Sequence, residues 1–141
     1  MRRINGAGLA LLKSFEGCKL TSYQDQGGVW TIGFGHTGPE VVEGMIFTPE
    51  QATMQLEKDL EKFYHLDQYL TENVNDNQYS ALICLAYNIG LRALKYSQVL
   101  RKVNCEESPD SEWRGWSHVN GVENKGLLRR REAELKLFHT I

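Results

Sequence analysis

The tetrad Thr48-Pro49-Glu50-Gln51 divides this chain into two kinds of sequence. Threonine, then proline, then glutamine three residues after the threonine is a helix start. The hydroxyl caps a free amide, proline fits the first helical position, and the glutamine side chain returns the cap. Beyond it, Ala52, Leu56, Leu60, Phe63 and Leu66 recur on one face, with Glu57, Lys58, Glu61 and Lys62 on the other. The spacing predicts one long helix over about 49–69.

Ahead of the tetrad, Leu9, Leu12 and Phe15, with Leu11 beside them, space a helix over 6–16 that Gly17 stops. Residues 18–38 then lose the helical period. Gly27-Gly28 signals a turn, Val29-Trp30-Thr31-Ile32 and Phe34 favour strand, and Gly33 and Gly35 mark close backbone approaches. A small twisted antiparallel sheet with tight hairpins is expected there. Residues 76–141 read as helical throughout. Asp76 is expected to cap a very apolar central helix around Ala81–Ala86, followed by helices over Ala93–Val103, Glu112–His118 and Leu127–Phe138. Cys105–Ser111 reads as a surface loop. The fold class is α+β and mainly helical. A small N-terminal lobe (about 1–50) with a short antiparallel sheet is joined by the long helix to a helical C-terminal lobe (about 70–141). The whole is expected to form a single domain.

A chain of 141 residues has the usual size of one domain, and its 41% hydrophobic and 24% charged content suits a soluble globular protein. The apolar run Gly8–Leu12 is stopped by Lys13, too short for a membrane span, and no small-residue cleavage site follows. Synthesis and folding in the cytosol are expected, without stable membrane insertion. The net charge of −2 is uneven: +2 over 1–35, −7 over 36–80 and +3 over 81–141. Nucleic-acid binding needs a strongly basic face, which this balance does not supply. Cys18, Cys84 and Cys105 are odd in number and lack any CxxC pair, which argues against a disulfide framework or a zinc site. They read as reduced thiols, with Cys84 in a core helix. The sharper alternative makes Cys18, two residues from Glu16, a redox handle. His36 reads as a structural hydrogen-bonding residue, His65, His118 and His139 as surface residues, and Trp30, Trp113 and Trp116 as packing anchors.

Within the stretch from Phe15 to Gly38 the only acids are Glu16, at a helix end, and Asp25, on the hairpin beyond. Two carboxylates facing each other across a gap suit glycoside hydrolysis. One donates a proton to the leaving oxygen; the other, ionised, handles a water or the positive charge at the sugar. Phe15 and the aromatic hairpin offer Glu16 an apolar wall, while Asp25 lies among Gln24, Gln26 and glycine amides. Acid pairs at this spacing are common, so the pair alone also fits plain surface carboxylates.

The wider pattern is specific. Glu16, eight residues, Asp25, five residues, Thr31 resembles the catalytic constellation of the phage-type lysozymes, the endolysins of glycoside hydrolase family 24. The flanking Phe15-Glu16-Gly17, Tyr23-Gln24-Asp25 and Trp30–Thr37 agree. So do Tyr87-Asn88-Ile89-Gly90, the segment from Ser97 through Leu100 to Asn104, and Trp116, Gly121 and Gly126–Glu132. The resemblance covers nearly the whole chain and implies a lysozyme-like fold with a cleft between two lobes. It implies Glu16 as general acid, Asp25 as the residue assisting the attacking water or the sugar cation, and Thr31 as the residue positioning that water. It implies that Thr37, Tyr87 and Ser97 line the substrate path, and that no metal or organic cofactor is used. One of Arg129 and Arg130 is expected near Glu16, since three successive helical residues point about 100° apart.

The implied activity is that of an endolysin muramidase. Such an enzyme hydrolyses the β-1,4 bond between N-acetylmuramic acid and N-acetylglucosamine in peptidoglycan, with inversion, and so lyses the host. The implied partner is the glycan strand, the implied state a monomer, and the implied route from host cytoplasm to cell wall after release. A lytic transglycosylase needs only the acid, and Asp25 and Thr31 argue against it. A non-catalytic wall-binding module on the same fold would be marked by loss of Glu16 or Asp25, and both are present.

Overall fold

In the computed structural model, which describes residues 2–141, the elements follow in the order α1 (Gly6–Glu16), β1 (Lys19–Gln24), β2 (Trp30–Gly33), β3 (His36–Thr37), α2 (Pro49–Glu61), α3 (Asp76–Ile89), α4 (Leu91–Lys95), α5 (Gln98–Asn104), α6 (Asp110–Arg114), β4 (His118–Val119), β5 (Val122–Glu123) and α7 (Lys125–Phe138). A 3-10 helix, Lys62–Tyr69, follows α2. The α+β class and its mainly helical character stand. The chain divides into two compact units, one of residues 12–62 and one of residues 2–11 with 63–141.

The unit of residues 12–62 is a three-stranded antiparallel sheet, in the order β1-β2-β3, with α2. Thr48 Oγ1 accepts from Gln51 N at 3.1 Å while Gln51 Oε1 accepts from Thr48 N at 2.8 Å, which is the capping box expected from the tetrad. The apolar face of α2 is buried as its spacing requires: Ala52, Leu56 and Leu60 lose nearly all their surface, as does Ile32 of β2. Each such leucine contributes about 1.5–3 kcal/mol through burial. Phe34, expected in a strand, lies in the turn after β2, because Gly33 at φ 67° ends the extended run.

The long helix covers the expected span but changes hydrogen-bond pattern at Lys62. Phe63, Leu66 and Tyr69 are three apart, and a three-residue period stacks them on one stripe, with Phe63 and Leu66 buried.

In the other unit α3 is central, and every residue from Tyr79 to Ala86 is buried. Its cap is Asn75, not Asp76: Asn75 Oδ1 accepts from Gln78 N at 2.8 Å, and Gln78 Oε1 accepts from Asn75 N at 2.9 Å. Asp76 is the first helical residue and pairs with Arg2 at 3.3 Å. The start of α1 belongs to this unit because Gly8 allows it close to α3. A Cβ on Gly8 would stand 2.6 Å from Ser80 Cβ, and Cys84 Sγ donates to the Gly8 carbonyl at 3.3 Å. Cys84 is buried as expected; Cys18 and Cys105 are exposed, and among the described residues none of the three forms a disulfide.

The C-terminal part is not helical throughout. The expected helix over Ala93–Val103 is two helices, because the Ser97 hydroxyl caps a new start by accepting from Leu100 N at 3.1 Å. The expected helix over Glu112–His118 is α6, ending at Arg114, followed by the hairpin β4–β5. Asn120 and Gly121 turn it, at φ 52° and 79°, where the left-handed region matches strand twist. Trp113 is fully buried, whereas Trp116 is partly exposed beside this hairpin and Trp30 is half-buried, so one of the three tryptophans anchors a core.

Charge is buried on α7. Glu134 accepts from Arg130 Nε at 3.1 Å, Arg131 Nη1 at 2.8 Å and Trp113 Nε1 at 3.0 Å. Arg130 Nη2 donates to the Cys84 carbonyl at 3.2 Å, and Arg131 donates to Asn88 Oδ1. Burial pushes the Glu134 carboxyl up and the Arg131 guanidinium down, each opposed by the other's charge. Removing one partner from such a group strands the others without compensation. Glu134→Ala is expected to cost about 3–5 kcal/mol in urea unfolding, more than replacing the ionic group jointly with apolar residues of similar volume.

Candidate active site

Glu16 ends α1 and is half-buried. The turn between β2 and β3 comes up beside it at Gly35, whose φ is 81°. A Cβ on Gly35 would lie 3.1 Å from Glu16 Oε1, so any larger residue would be strained in backbone and would press on the carboxyl. Lys13 Nζ stands 5.6 Å from the Phe34 ring centre, which ties α1 to the same turn.

Asp25 closes the β1–β2 hairpin. Its Oδ1 accepts from Gly27 N at 2.8 Å and Val29 N at 2.9 Å, an Asx turn that fixes the carboxylate by backbone amides. The main chain repeats the closure, with Asp25 N donating to the Val29 carbonyl at 2.9 Å. Among the described residues Oδ2 has no hydrogen-bond partner, and the side chain is exposed.

Thr31 is joined to that turn through the same residue. Its hydroxyl donates to the Val29 carbonyl at 2.9 Å, while Val29 N donates to Asp25. The register places Tyr23, Thr31 and Thr37 directly opposite one another across β1, β2 and β3. Opposed residues of an antiparallel sheet share a face, so Thr31 and Thr37 are neighbours on one side. Thr31 is 4% exposed, whereas Thr37 is open to solvent. Glu16, Asp25, Thr31 and Thr37 thus lie in one unit. Tyr87 and Ser97 belong to the other. Tyr87 is half-buried, with its ring 5.4 Å from that of Phe63. The Ser97 hydroxyl donates to the Leu94 carbonyl at 2.7 Å besides capping α5. Of the two arginines singled out on α7, Arg130 is buried and Arg129 exposed.

His36 has the structural role expected of it. Nδ1 lies 2.8 Å from Asp59 Oδ2 and Nε2 lies 2.6 Å from Glu40 Oε1. Both nitrogens face carboxylates, so both bonds need the imidazolium. Burial lowers the His36 pKa, but hydrogen bonds and charge from Glu40 and Asp59 outweigh it and the net shift is upward. Gln55 Nε2 donates to Asp59 at 3.0 Å and fixes it. Glu40 and Asp59 were not singled out in sequence. The spacing from His36 to Glu40 carried a signal; Asp59, on α2, carried none.

A carboxyl at a helix end, a carboxylate locked by amides, and a threonine hydroxyl whose proton is already committed are parts that serve hydrolysis of a sugar acetal. The α+β frame that carries them defines the class of lysozyme-like folds. Residues 13–134 match the model of the phage lysozyme family, and the chain belongs to that family. It is 36% identical to the endolysin of Bacillus phage B103 over 97% of this chain, and spans 54% of that relative's length. It is also 36% identical to the endolysin of Acyrthosiphon pisum secondary endosymbiont phage 1, covering 97% of this chain and 98% of that one. Among solved structures, the muramidase domain of SpmX from Asticaccaulis excentricus superposes with a TM-score of 0.92 at 34% identity, covering 100% of both chains. Among the described residues, no helix is long and apolar enough to cross a membrane, and no three His, Cys, Asp or Glu residues group as metal ligands.

The His36 contacts make stability depend on pH. Because the His36 pKa is raised, its contribution is complete below about pH 6.5 and is lost as pH rises through the folded-state value. The Glu40 pKa is lowered by the hydrogen bond from His36, so its contribution is present above the ordinary glutamate value and lost as pH falls through the folded one. The cluster therefore stabilises most between about pH 4.5 and 6.5. His36→Asn is expected to flatten the pH dependence of the melting temperature on the alkaline side, as calorimetry across that range would show.

Proposed function

We propose that this chain is an endolysin muramidase, hydrolysing the β-1,4 bond between N-acetylmuramic acid and N-acetylglucosamine in peptidoglycan. Glu16 is the general acid, protonating the glycosidic oxygen as it leaves. Asp25 is the base that takes a proton from the attacking water. Thr31 holds that water.

The observation that carries this reading is the shared use of Val29 by Asp25 and Thr31. A water that attacks carbon must direct its two protons to acceptors and keep a lone pair free. Donation to the Val29 carbonyl makes Thr31 Oγ1 an acceptor, and Asp25 Oδ1 is held by two amides with Oδ2 left open. One water proton then goes to Asp25 and the other hydrogen-bonds Thr31. The oxygen lone pair attacks the anomeric carbon, the glycosidic bond breaks with its electrons on the leaving oxygen, and Glu16 protonates that oxygen. Attack from the face opposite the leaving group inverts the anomeric carbon.

Thr37, next to Thr31 across β2–β3, contacts the glycan in this reading, and Tyr87 and Ser97 are each further substrate-binding residues. The protein works as a monomer, made in the host cytoplasm and acting on the cell wall after release.

Glu16→Gln keeps the shape of the side chain without a transferable proton, and is expected to lower turnover of purified peptidoglycan by at least about a hundredfold with an unchanged melting profile. Near-normal turnover by a folded variant would overturn the assignment. Thr31→Val is expected to cost about tenfold in rate and at most about 1 kcal/mol in stability, since the Val29 carbonyl loses one of its two donors and keeps Asp25 N. Proton magnetic resonance of the first-formed reducing end is expected to show the α-anomer. A β-anomer would exclude water attack from the far face, and an anhydro product would mark a transglycosylase.

A further inference from the structure

His36 has two acceptors and, once neutral, only one proton to offer them. Nδ1 faces Asp59 and Nε2 faces Glu40, and both donate only while the ring is an imidazolium. Asp59 stands on α2 and Glu40 on the segment after β3, and these are the charged groups that face the ring. β2, paired beside β3, brings Thr31 and Ile32, neither of which is titratable. Loss of one proton therefore has to open one of the two contacts.

The two acceptors are not equivalent. The Asp59 side chain is 20% exposed and takes a second hydrogen bond from Gln55 at 3.0 Å. The Glu40 side chain is 56% exposed, so water can replace His36 as its partner. Releasing Asp59 would strand a largely covered carboxylate; releasing Glu40 strands nothing. The neutral ring thus keeps its proton on Nδ1, and Glu40 is the arm that lets go.

Glu40 also sits on a short strap with fixed ends. On one side His36 and Thr37 are paired to Ile32 and Thr31 of β2. On the other, Val41 is buried, and its amide donates to the Gly38 carbonyl at 3.1 Å. Between these ends lie Gly38, Pro39 and Glu40. Gly38 is what lets the carboxylate reach the ring. A Cβ there would stand 2.5 Å from Glu40 Oε2 and 2.7 Å from Oε1. The Gly38 backbone lies outside the left-handed region, so glycine is needed here for the carboxylate folded over it and not for its dihedral angles.

We propose that His36 and Glu40 form a proton-gated latch: while the ring carries both protons the strap 38–40 is drawn onto β3, and loss of one proton frees the strap while the Asp59 contact holds. The strap leaves β3 directly after Thr37, so the latch governs how closely the chain is held beside that residue. It is a property of the free chain and does not rest on the muramidase reading. Burial lowers the His36 pKa, but the bonds and charges of Glu40 and Asp59 raise it on balance, so the alkaline opening lies above the ordinary histidine value. The hydrogen bond from His36 holds the Glu40 carboxyl below its ordinary value, which puts the acid opening below that of a free glutamate.

The test is a pH titration of the isotope-labelled chain, without any ligand, followed at the His36 ring nitrogens and at the backbone amides of the strap. The Gly38 and Glu40 amides are expected to shift, and to gain fast motion in relaxation measurements, with the midpoint of the ring. The neutral ring is expected as the Nδ1–H tautomer, against the Nε2–H form that free histidine prefers. Gly38→Ala displaces the Glu40 carboxylate without backbone strain. It is expected to leave the strap in its alkaline state at every pH and to lower the midpoint of the ring. Glu40→Gln is expected to abolish the strap transition with the strap still held, because an amide accepts from the imidazolium and donates to the neutral ring. A neutral ring protonated at Nε2, strap amides that ignore the titration of the ring, or an unchanged strap transition in Gly38→Ala would each overturn the proposal. The unaltered chain alone supplies the first two outcomes, so neither variant has to fold for the test to decide.

Discussion

The helical unit is organised around one buried carboxylate. Glu134 takes hydrogen bonds from α6 through Trp113 and from its own helix through Arg130 and Arg131, and those arginines reach α3 at the Cys84 carbonyl and Asn88. Three helices are thereby held in one register by directional bonds, where apolar contact alone would let them slide. Apolar packing supplies most of the stability, since α3 is buried from Tyr79 to Ala86. The ionic group supplies orientation, because a displaced helix would leave a charge buried without its partner.

The sheet unit solves a different problem with different means. Asp25 is exposed, so burial cannot hold it. Asp25 is instead held by two backbone amides of its own turn, and Thr31 by a carbonyl of the same turn. The consequence is chemical as well as structural. An Asx turn fixes one carboxylate oxygen and leaves the other available, and the threonine is committed as donor before any ligand arrives. His36 serves the same unit by tying β3 to α2 through Asp59, in the strand that also carries Thr37.

How much of this was legible in the sequence follows from how local each feature is. The α1 boundaries, the start of α2 with its cap at Thr48 and the turn at Gly27-Gly28 are set by neighbours in the chain, and the residues themselves declare them; the set of Glu16, Asp25 and Thr31 was legible only through the resemblance to a family. The cap at Asn75 was missed by one position because asparagine and aspartate both cap, and only the reciprocal bond from Gln78 separates them. The break at Ser97 lay within an apolar pattern that continues on both sides, so periodicity alone ran through it. The hairpin over 118–123 was legible in Asn120-Gly121, a strong turn dipeptide, but the surrounding helical sequence outweighed it. Long-range pairs such as His36 with Asp59, or Trp113 with Glu134, have no local signature at all.

Thr31 and Ser97 show why residue type alone could not assign chemistry. Both hydroxyls donate to a carbonyl of their own chain segment, Thr31 to Val29 and Ser97 to Leu94. Ser97 also accepts an amide, from Leu100, and so has one lone pair left. No protein donor reaches Thr31 Oγ1 among the hydrogen bonds described, so it keeps its accepting capacity whole. An acceptor held still beside a carboxylate can orient a water; an acceptor already closing a helix start can at most receive one further bond from a ligand. The same functional group thus keeps its full accepting capacity in the sheet, as the proposed water-holding role of Thr31 requires, and is partly committed to a helix start in Ser97. The difference lies in a single amide proton supplied by the backbone.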